Sequence, residues 1–102
     1  NYLEFSGTAV TDEGFAIVSE LPKLEWLMIS ESLITDAGLE HISKCSNLKY
    51  LSLDNTKITD EGLKHLRSLK KLETLRLEGT KVSEKAALQL KDELKLKVIH
   101  LP

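Results

Sequence analysis

Three histidines and one cysteine are the side chains in this chain best suited to proton transfer, metal ligation or nucleophilic attack. Their spacing supports none of these. His41 and His65 occupy the same column of a repeating pattern, together with Ile17 and Gln89. Adjacent helices pack about 8–10 Å apart, so one metal ion could be shared only if both rings turned inward between them. A surface or packing role is the reading for both. His100 lies near Arg76 and has no nucleophile beside it, and the chain carries no phosphate-cradling glycine loop or nucleophile elbow. The residues suited to recognition are better placed. Tyr2, Trp26 and Tyr50 follow one another at intervals of 24 residues and make up three of the five aromatic residues, with Met28 two positions beyond Trp26. Aromatic and thioether side chains gathered on one exposed face form the apolar anchors of binding surfaces. Their alternative role is plain cross-strand packing.

That interval belongs to the whole chain. Residues 11–34, 35–58 and 59–82 are three copies of one unit, flanked by a partial unit at 1–10 and a modified one at 83–102. The copy at 35–58 shows the pattern. Thr35, Asp36, Ala37, Gly38 and Leu39 open a helix, which Ile42 and Cys45 continue; Leu48, Leu51 and Leu53 then alternate with polar residues. Helical spacing followed by strand spacing predicts an α/β unit. A unit this short cannot bury its apolar face alone, so the stack is the folding unit.

These motifs resemble the leucine-rich-repeat family. Leucines hold the first, fourth and sixth places of the strand segment, as in Leu48, Leu51 and Leu53, or Leu72, Leu75 and Leu77. The run from Ile58 to Leu63 is similar to the cysteine-containing subclass common in F-box proteins, and to bacterial repeats of like length. The resemblance implies a right-handed solenoid, with about five short parallel strands on the concave side and four helices on the convex side. The ninth place of the segment, Asn or Cys in most of the family, holds Thr8, Ser32, Thr56 and Thr80 here. A hydroxyl can bond a neighbouring backbone group at a turn, so the column is read as structural. Cys45 shares its column with Leu21 and Leu69 and is read as a core thiol.

Each helix start repeats its chemistry. Thr11, Thr35, Thr59 and Ser83 are N-cap types; Asp12, Asp36, Asp60 and Glu84 follow, where negative charge meets the helix dipole. Gly14, Gly38 and Gly62 recur inside the helices at a cost of about 1 kcal/mol each against Ala, which points to tight contact between units. In the last unit Glu93 enters the column of Leu21, Cys45 and Leu69, while Lys85, Lys91, Asp92, Lys95 and Lys97 give the helix a polar outer side. That is the expected look of a capping repeat. Pro102 ends the final strand, at an edge where a missing backbone donor is tolerated. At the other end Tyr2, Leu3 and Phe5 form a strand with no helix before it. An unpaired apolar edge calls for preceding repeats, an adjoining domain or self-association.

Composition narrows the partners. The 102 residues carry a formal net charge of -2, with Lys and Arg interspersed among Asp and Glu, which argues against nucleic acid. No apolar run approaches the roughly 18–20 residues of a membrane span, and no signal peptide is visible. One cysteine excludes an intramolecular disulfide. Alternation along each strand places Tyr2, Trp26, Tyr50, Thr74 and Val98 in one outward column and Glu4, Met28, Ser52, Arg76 and His100 in the next.

The expectation is therefore a single repeat domain over residues 1–102, without cofactor or metal, that recognises a protein or peptide through its concave sheet and does not catalyse a reaction. Tyr2, Trp26, Met28 and Tyr50 would anchor it, with Glu4, Asp54, Arg76 and Glu78 orienting it. An F-box ubiquitin-ligase receptor fragment and a carbohydrate-binding module that stacks sugars on the aromatic row are the alternatives.

Overall fold

Where apolar residues alternate in the sequence, short strands form. The computed structural model describes residues 2–5, 7 and 10–102. Its strands are β1 (Tyr2–Glu4), β2 (Trp26–Met28), β3 (Tyr50–Ser52), β4 (Thr74–Arg76) and β5 (Val98–His100). They form one five-stranded parallel sheet in chain order. The register steps by one repeat at each pair: Tyr2 faces Trp26, Trp26 faces Tyr50, Tyr50 faces Thr74, and Thr74 faces Val98. Parallel neighbours need a crossover. Helices supply it, so the chain folds as an α/β repeat solenoid.

Two of the four helices are α-helical, α1 (Asp36–Ile42) and α2 (Glu84–Leu94). The other two, Gly14–Glu20 and Asp60–Leu66, are 3-10 helices. At seven residues a helix has few i to i+4 bonds to lose, so the tighter winding competes. α1 packs between the two 3-10 helices, and α2 packs on the second. None of the helices among the described residues is long and apolar enough to cross a membrane.

The core is a ladder of apolar columns that run from repeat to repeat. Leu27, Leu51 and Leu75 at the strand centres are fully buried, as are Ile29, Leu53 and Leu77 two residues on. With Ile42 and Leu66 from the helices they form one continuous cluster. Cys45 belongs to it, fully buried, its thiol donating to the Val18 carbonyl at 3.3 Å. Burial pushes the thiol's pKa up, which makes the reactive thiolate scarce. A soluble thiol reagent should therefore label native Cys45 at least about a hundredfold more slowly than the denatured chain, at the rate at which the core opens. Labelling at the free-thiol rate under native conditions would contradict this burial.

Leu21 departs from its expected place in the core column and is 37% exposed, whereas Cys45 and Leu69 are fully buried. Each of those two is covered by a repeat on its N-terminal side. Leu21 instead lines an open notch of about 440 Å³ with Leu3, Pro22 and Leu24 at the first edge of the stack.

The acidic column at the helix starts also does more than oppose a dipole. Thr35 donates its backbone N–H, at 2.7 Å, and its hydroxyl to Asp12. Thr59 makes the same two bonds to Asp36, and Ser83 makes them to Asp60. Each carboxylate thus clamps the next repeat. Thr35 makes no side-chain cap, and Glu13 is the residue that precedes the first 3-10 helix, although Thr11 Oγ1 accepts the Gly14 N–H at 3.4 Å. Thr59 and Ser83 do cap, accepting from Glu61 N–H and Ala86 N–H. The clamp explains two of the three helix glycines: a Cβ at Gly38 would collide with the Asp12 carboxylate, and one at Gly62 with that of Asp36, whereas at Gly14 it would meet only Thr11 Oγ1 of its own unit, at 3.8 Å, so the expected tight contact between units is absent there.

In the hydroxyl column Ser32, Thr56 and Thr80 each donate to the carbonyl three residues back, at 3.1, 2.7 and 2.7 Å. The column is structural, as expected from the turn chemistry. Thr8 lies outside the described residues. One position earlier, Gly7, Glu31, Asn55 and Gly79 all have positive φ, so every repeat turns through the left-handed region there. Glu31, at φ 58, carries a side chain that disfavours this conformation. Glu31→Gly should relieve that strain and, after the entropy of the unfolded glycine is subtracted, stabilise the fold by about 0.5–1 kcal/mol. The denaturation midpoint should rise; a fall would mean that the Glu31 side chain contributes more than its backbone costs.

The helix of the last unit is longer than the others. α2 runs for 11 residues and stops at Lys95, which takes a left-handed conformation. Glu93, exposed, pairs with Arg67 at 3.0 Å.

Candidate functional site

Parallel register brings the aromatic column together. Trp26 and Tyr50 stack with ring centroids 3.9 Å apart and planes 9° from parallel. Tyr2 stands beside Trp26 at 6.0 Å and 33°. The stacked pair comes from adjacent strands, so the ring normals run along the sheet. The rings therefore stand on edge, with faces turned to each other and edges to solvent. Tyr2 is 58% exposed and Trp26 41%, while Tyr50 is half-buried between its neighbours.

Met28 is half-buried in the adjoining row. The Tyr2 hydroxyl donates to Glu4 Oε1 at 2.9 Å and lies 3.7 Å from Met28 Sδ. That bond, above all, raises the hydroxyl's pKa, because losing the proton would set a phenolate beside a carboxylate. Tyr2, Glu4, Met28 and Trp26 thus form one contiguous patch across β1 and β2.

Alternation predicts Ser52 on the outward face of the same row, but the residue is buried. A short side chain between Met28 and Arg76 in register has its neighbours' bulk on both sides. Its hydroxyl is satisfied by Ser30 Oγ at 3.2 Å.

A charged cluster adjoins the patch. Arg76 Nε donates to Asp54 Oδ2 at 2.8 Å, and Glu78 Oε2 lies 3.7 Å from its other end. Asp54 Oδ1 accepts the Glu78 backbone N–H at 2.9 Å, so one carboxylate fixes both the guanidinium and the turn. The hydrogen bond to Asp54 raises the pKa of Arg76 further and keeps its charge in place. His100 pairs in register with Arg76 and is half-buried.

On the other side of the aromatic row lies an open groove of about 480 Å³, lined by Tyr2, Glu25, Trp26, Lys49, Tyr50, Glu73 and Thr74. Lys49 sits 3.9 Å from Glu25, and Lys97 sits 3.5 Å from Glu73. Such exposed pairs contribute roughly 0–1 kcal/mol to stability, and they order the groove's rim more than they hold the fold. The notch at Leu21 is lined by more apolar residues, lies at the first strand, and shares Tyr2 with the groove.

All eight candidate residues therefore lie on one side of the sheet, in two adjoining clusters. Tyr2, Glu4, Trp26, Met28 and Tyr50 form the aromatic end, and Asp54, Arg76 and Glu78 the charged end. The lane of Glu25, Lys49 and Glu73 runs along the other side of the aromatic row, and its alternation of sign every 24 residues is readable from the repeat.

The family model described as leucine rich repeat matches residues 22–82. No curated protein matches the chain.

Proposed function

Because the chain belongs to the leucine-rich-repeat family, whose members generally mediate protein–protein recognition and are typically non-catalytic scaffolds, we propose that its concave sheet is a protein-recognition surface anchored by Tyr2, Trp26, Met28 and Tyr50. The observation that carries this reading is the on-edge aromatic row. Its two exposed members and the adjoining thioether form an apolar patch at the β1–β2 end of the sheet. Asp54, Arg76 and Glu78 orient the partner from the charged end. Because the strands are pinned between repeats, the surface is preformed and little ordering cost accompanies binding.

The geometry gives less support to carbohydrate binding. Sugars stack on open ring faces, and the facing sides of Trp26 and Tyr50 are spent on each other. Ring edges carry partial positive charge and suit the carbonyl groups and apolar side chains of a protein.

The test is a comparative capture from the source lysate with the unchanged protein and a Trp26→Ala/Tyr50→Ala variant, read by mass spectrometry. Proteins retained by the first and lost by the second support the reading. Identical captures from a lysate containing the native partners would remove the aromatic row from it.

A further inference from the structure

Charges that are interspersed along the sequence are sorted in space by the solenoid. Every helix-to-strand loop returns to the same rim of the stack, and residues 21–25, 43–49, 67–73 and 95–97 make up these loops. They carry eight of the chain's 14 basic residues and two of its 16 acidic ones, a net charge of +6 within a chain of net charge -2. The strand-to-helix loops run along the opposite rim. Their residues 10–13, 29–35, 53–59 and 77–83 carry five acids and two bases.

Three of the rim bases are matched. Lys49 lies 3.9 Å from Glu25, Lys97 lies 3.5 Å from Glu73, and Arg67 lies 3.0 Å from Glu93. Both acids of the rim are thereby used. Lys23, Lys44, Lys70, Lys71 and Lys95 are left over, all of them exposed and none ion-paired among the described residues. Lys71 donates to Asn47 Oδ1 at 2.8 Å, and Asn47 Nδ2 donates to the Pro22 carbonyl at 2.9 Å. A neutral amide thus holds the Lys71 amine along the rim and leaves its charge uncompensated. Helix dipoles account for little of this excess. α1 ends at Ile42 and the second 3-10 helix at Leu66, so Lys70 and Lys71 lie four and five residues past the helix end, beyond the last turn over which a dipole acts.

The rim also continues the concave face. Glu25, Lys49 and Glu73 are the last residues of their loops, and they line the groove beside Trp26 and Tyr50. Successive repeats stand about 5 Å apart at the strands and about 8–10 Å apart at the helices, so Lys44, the Lys70 and Lys71 pair, and Lys95 form a line that advances one repeat per step.

We propose that this rim, centred on Lys44, Lys70 and Lys71, docks an acidic segment of a partner protein. The rim is a second surface, beyond the concave face, and its role does not depend on the aromatic row. A membrane surface or a nucleic acid is negative over its whole extent, and would meet Glu20 and Asp92 on the adjoining helix ends as well as Glu25 and Glu73. A protein segment can set its carboxylates against the free lysines alone. Arginine, whose fork suits phosphate, is missing from the free set, because Arg67 and Arg76 are engaged by Glu93 and Asp54.

A random-sequence dodecapeptide display library, panned on the intact protein, supplies the probe. Enriched peptides should carry clustered Asp and Glu. A synthetic peptide of the enriched sequence should bind Lys44→Gln/Lys70→Gln/Lys71→Gln about tenfold more weakly, and with a flatter salt dependence, because screened charge pairs supply the attraction. All three lysines are exposed, so the melting temperature of this variant should stay close to that of the unchanged protein. Lys57→Gln/Lys81→Gln/Lys85→Gln removes the same charge from the opposite side of the stack and should leave the affinity within about twofold. An equal loss in both variants would reduce the effect to net charge and overturn the proposal. Neutral or basic consensus peptides, acidic peptides held equally by the rim variant, or failure to enrich any sequence would overturn it too. If no acidic peptide is enriched, and vesicles of phosphatidylcholine and phosphatidylserine sediment the unchanged protein but not the rim variant, the rim is a membrane contact and the proposal falls. Trp26→Ala is scored separately: its effect bears on the concave-face reading and leaves the lysine result standing.

Discussion

Asp36→Ala is expected to destabilise the fold by about 2–3 kcal/mol, a large loss for a side chain at the surface. Asp36 accepts both the backbone N–H and the hydroxyl of Thr59 from the next repeat, and both bonds are charge-assisted. Removing the carboxylate leaves the partly buried Thr59 N–H without its partner. Gly62→Ala should cost about 1–2 kcal/mol, although alanine is the better helix former by about 1 kcal/mol. Its Cβ would strike the Asp36 carboxylate and sit 2.9 Å from Leu39 Cδ1. The carboxylate can move away only by giving up its bonds to Thr59. In an Asp36→Ala background that obstacle is gone, and Gly62→Ala should become neutral or stabilising. Denaturant melts of the two single variants and the double variant measure the coupling directly. Additive effects would show that aspartate and glycine act independently, and would remove the clamp as the reason for the glycine column.

Trp26→Ala should weaken partner binding by about 2 kcal/mol or more, roughly 30-fold, while costing much less in stability than a core truncation. The stability loss should be about 1–2 kcal/mol, because the indole is 41% exposed and its main ordered contact is the stack on Tyr50. Leu27, one residue on, provides the control. It points into the core and is fully buried, so Leu27→Ala should cost about 2–5 kcal/mol. Adjacent residues of one strand would then separate recognition from folding. If Trp26→Ala destabilised the protein as much as Leu27→Ala does, and binding fell only in proportion to the folded fraction, the tryptophan would be a structural residue.

The contrast between those neighbours is legible in the sequence because strand alternation is a local rule. Leu51 and Leu53 must face one side and Tyr50 the other once a strand is assigned. The same logic misjudges Ser52. Alternation predicts which way a side chain points, while its exposure depends on what stands beside it, and Met28 and Arg76 come from other repeats. Leu21 escapes its column for a related reason: a column is uniform in sequence, but among the described residues no repeat covers Leu21 from its N-terminal side as one covers Cys45 and Leu69.

The 24-residue recurrence by itself determined the fold class, the strand order and register, the core columns and the meeting of Tyr2, Trp26 and Tyr50. In a parallel stack, equal spacing along the chain becomes adjacency in space. The tertiary structure decided what the side chains do across that short distance. It turned Asp12, Asp36 and Asp60 from helix-start charges into clamps on the following repeat. It set the left-handed turn at Glu31, a residue whose type does not announce it. It also closed the faces of Trp26 and Tyr50 against each other, left their edges open, and matched every concave base to an acid. Periodicity specifies which residues become neighbours. Rotamers, hydrogen bonds and charge pairing, which depend on several repeats at once, specify what those neighbours offer to a partner.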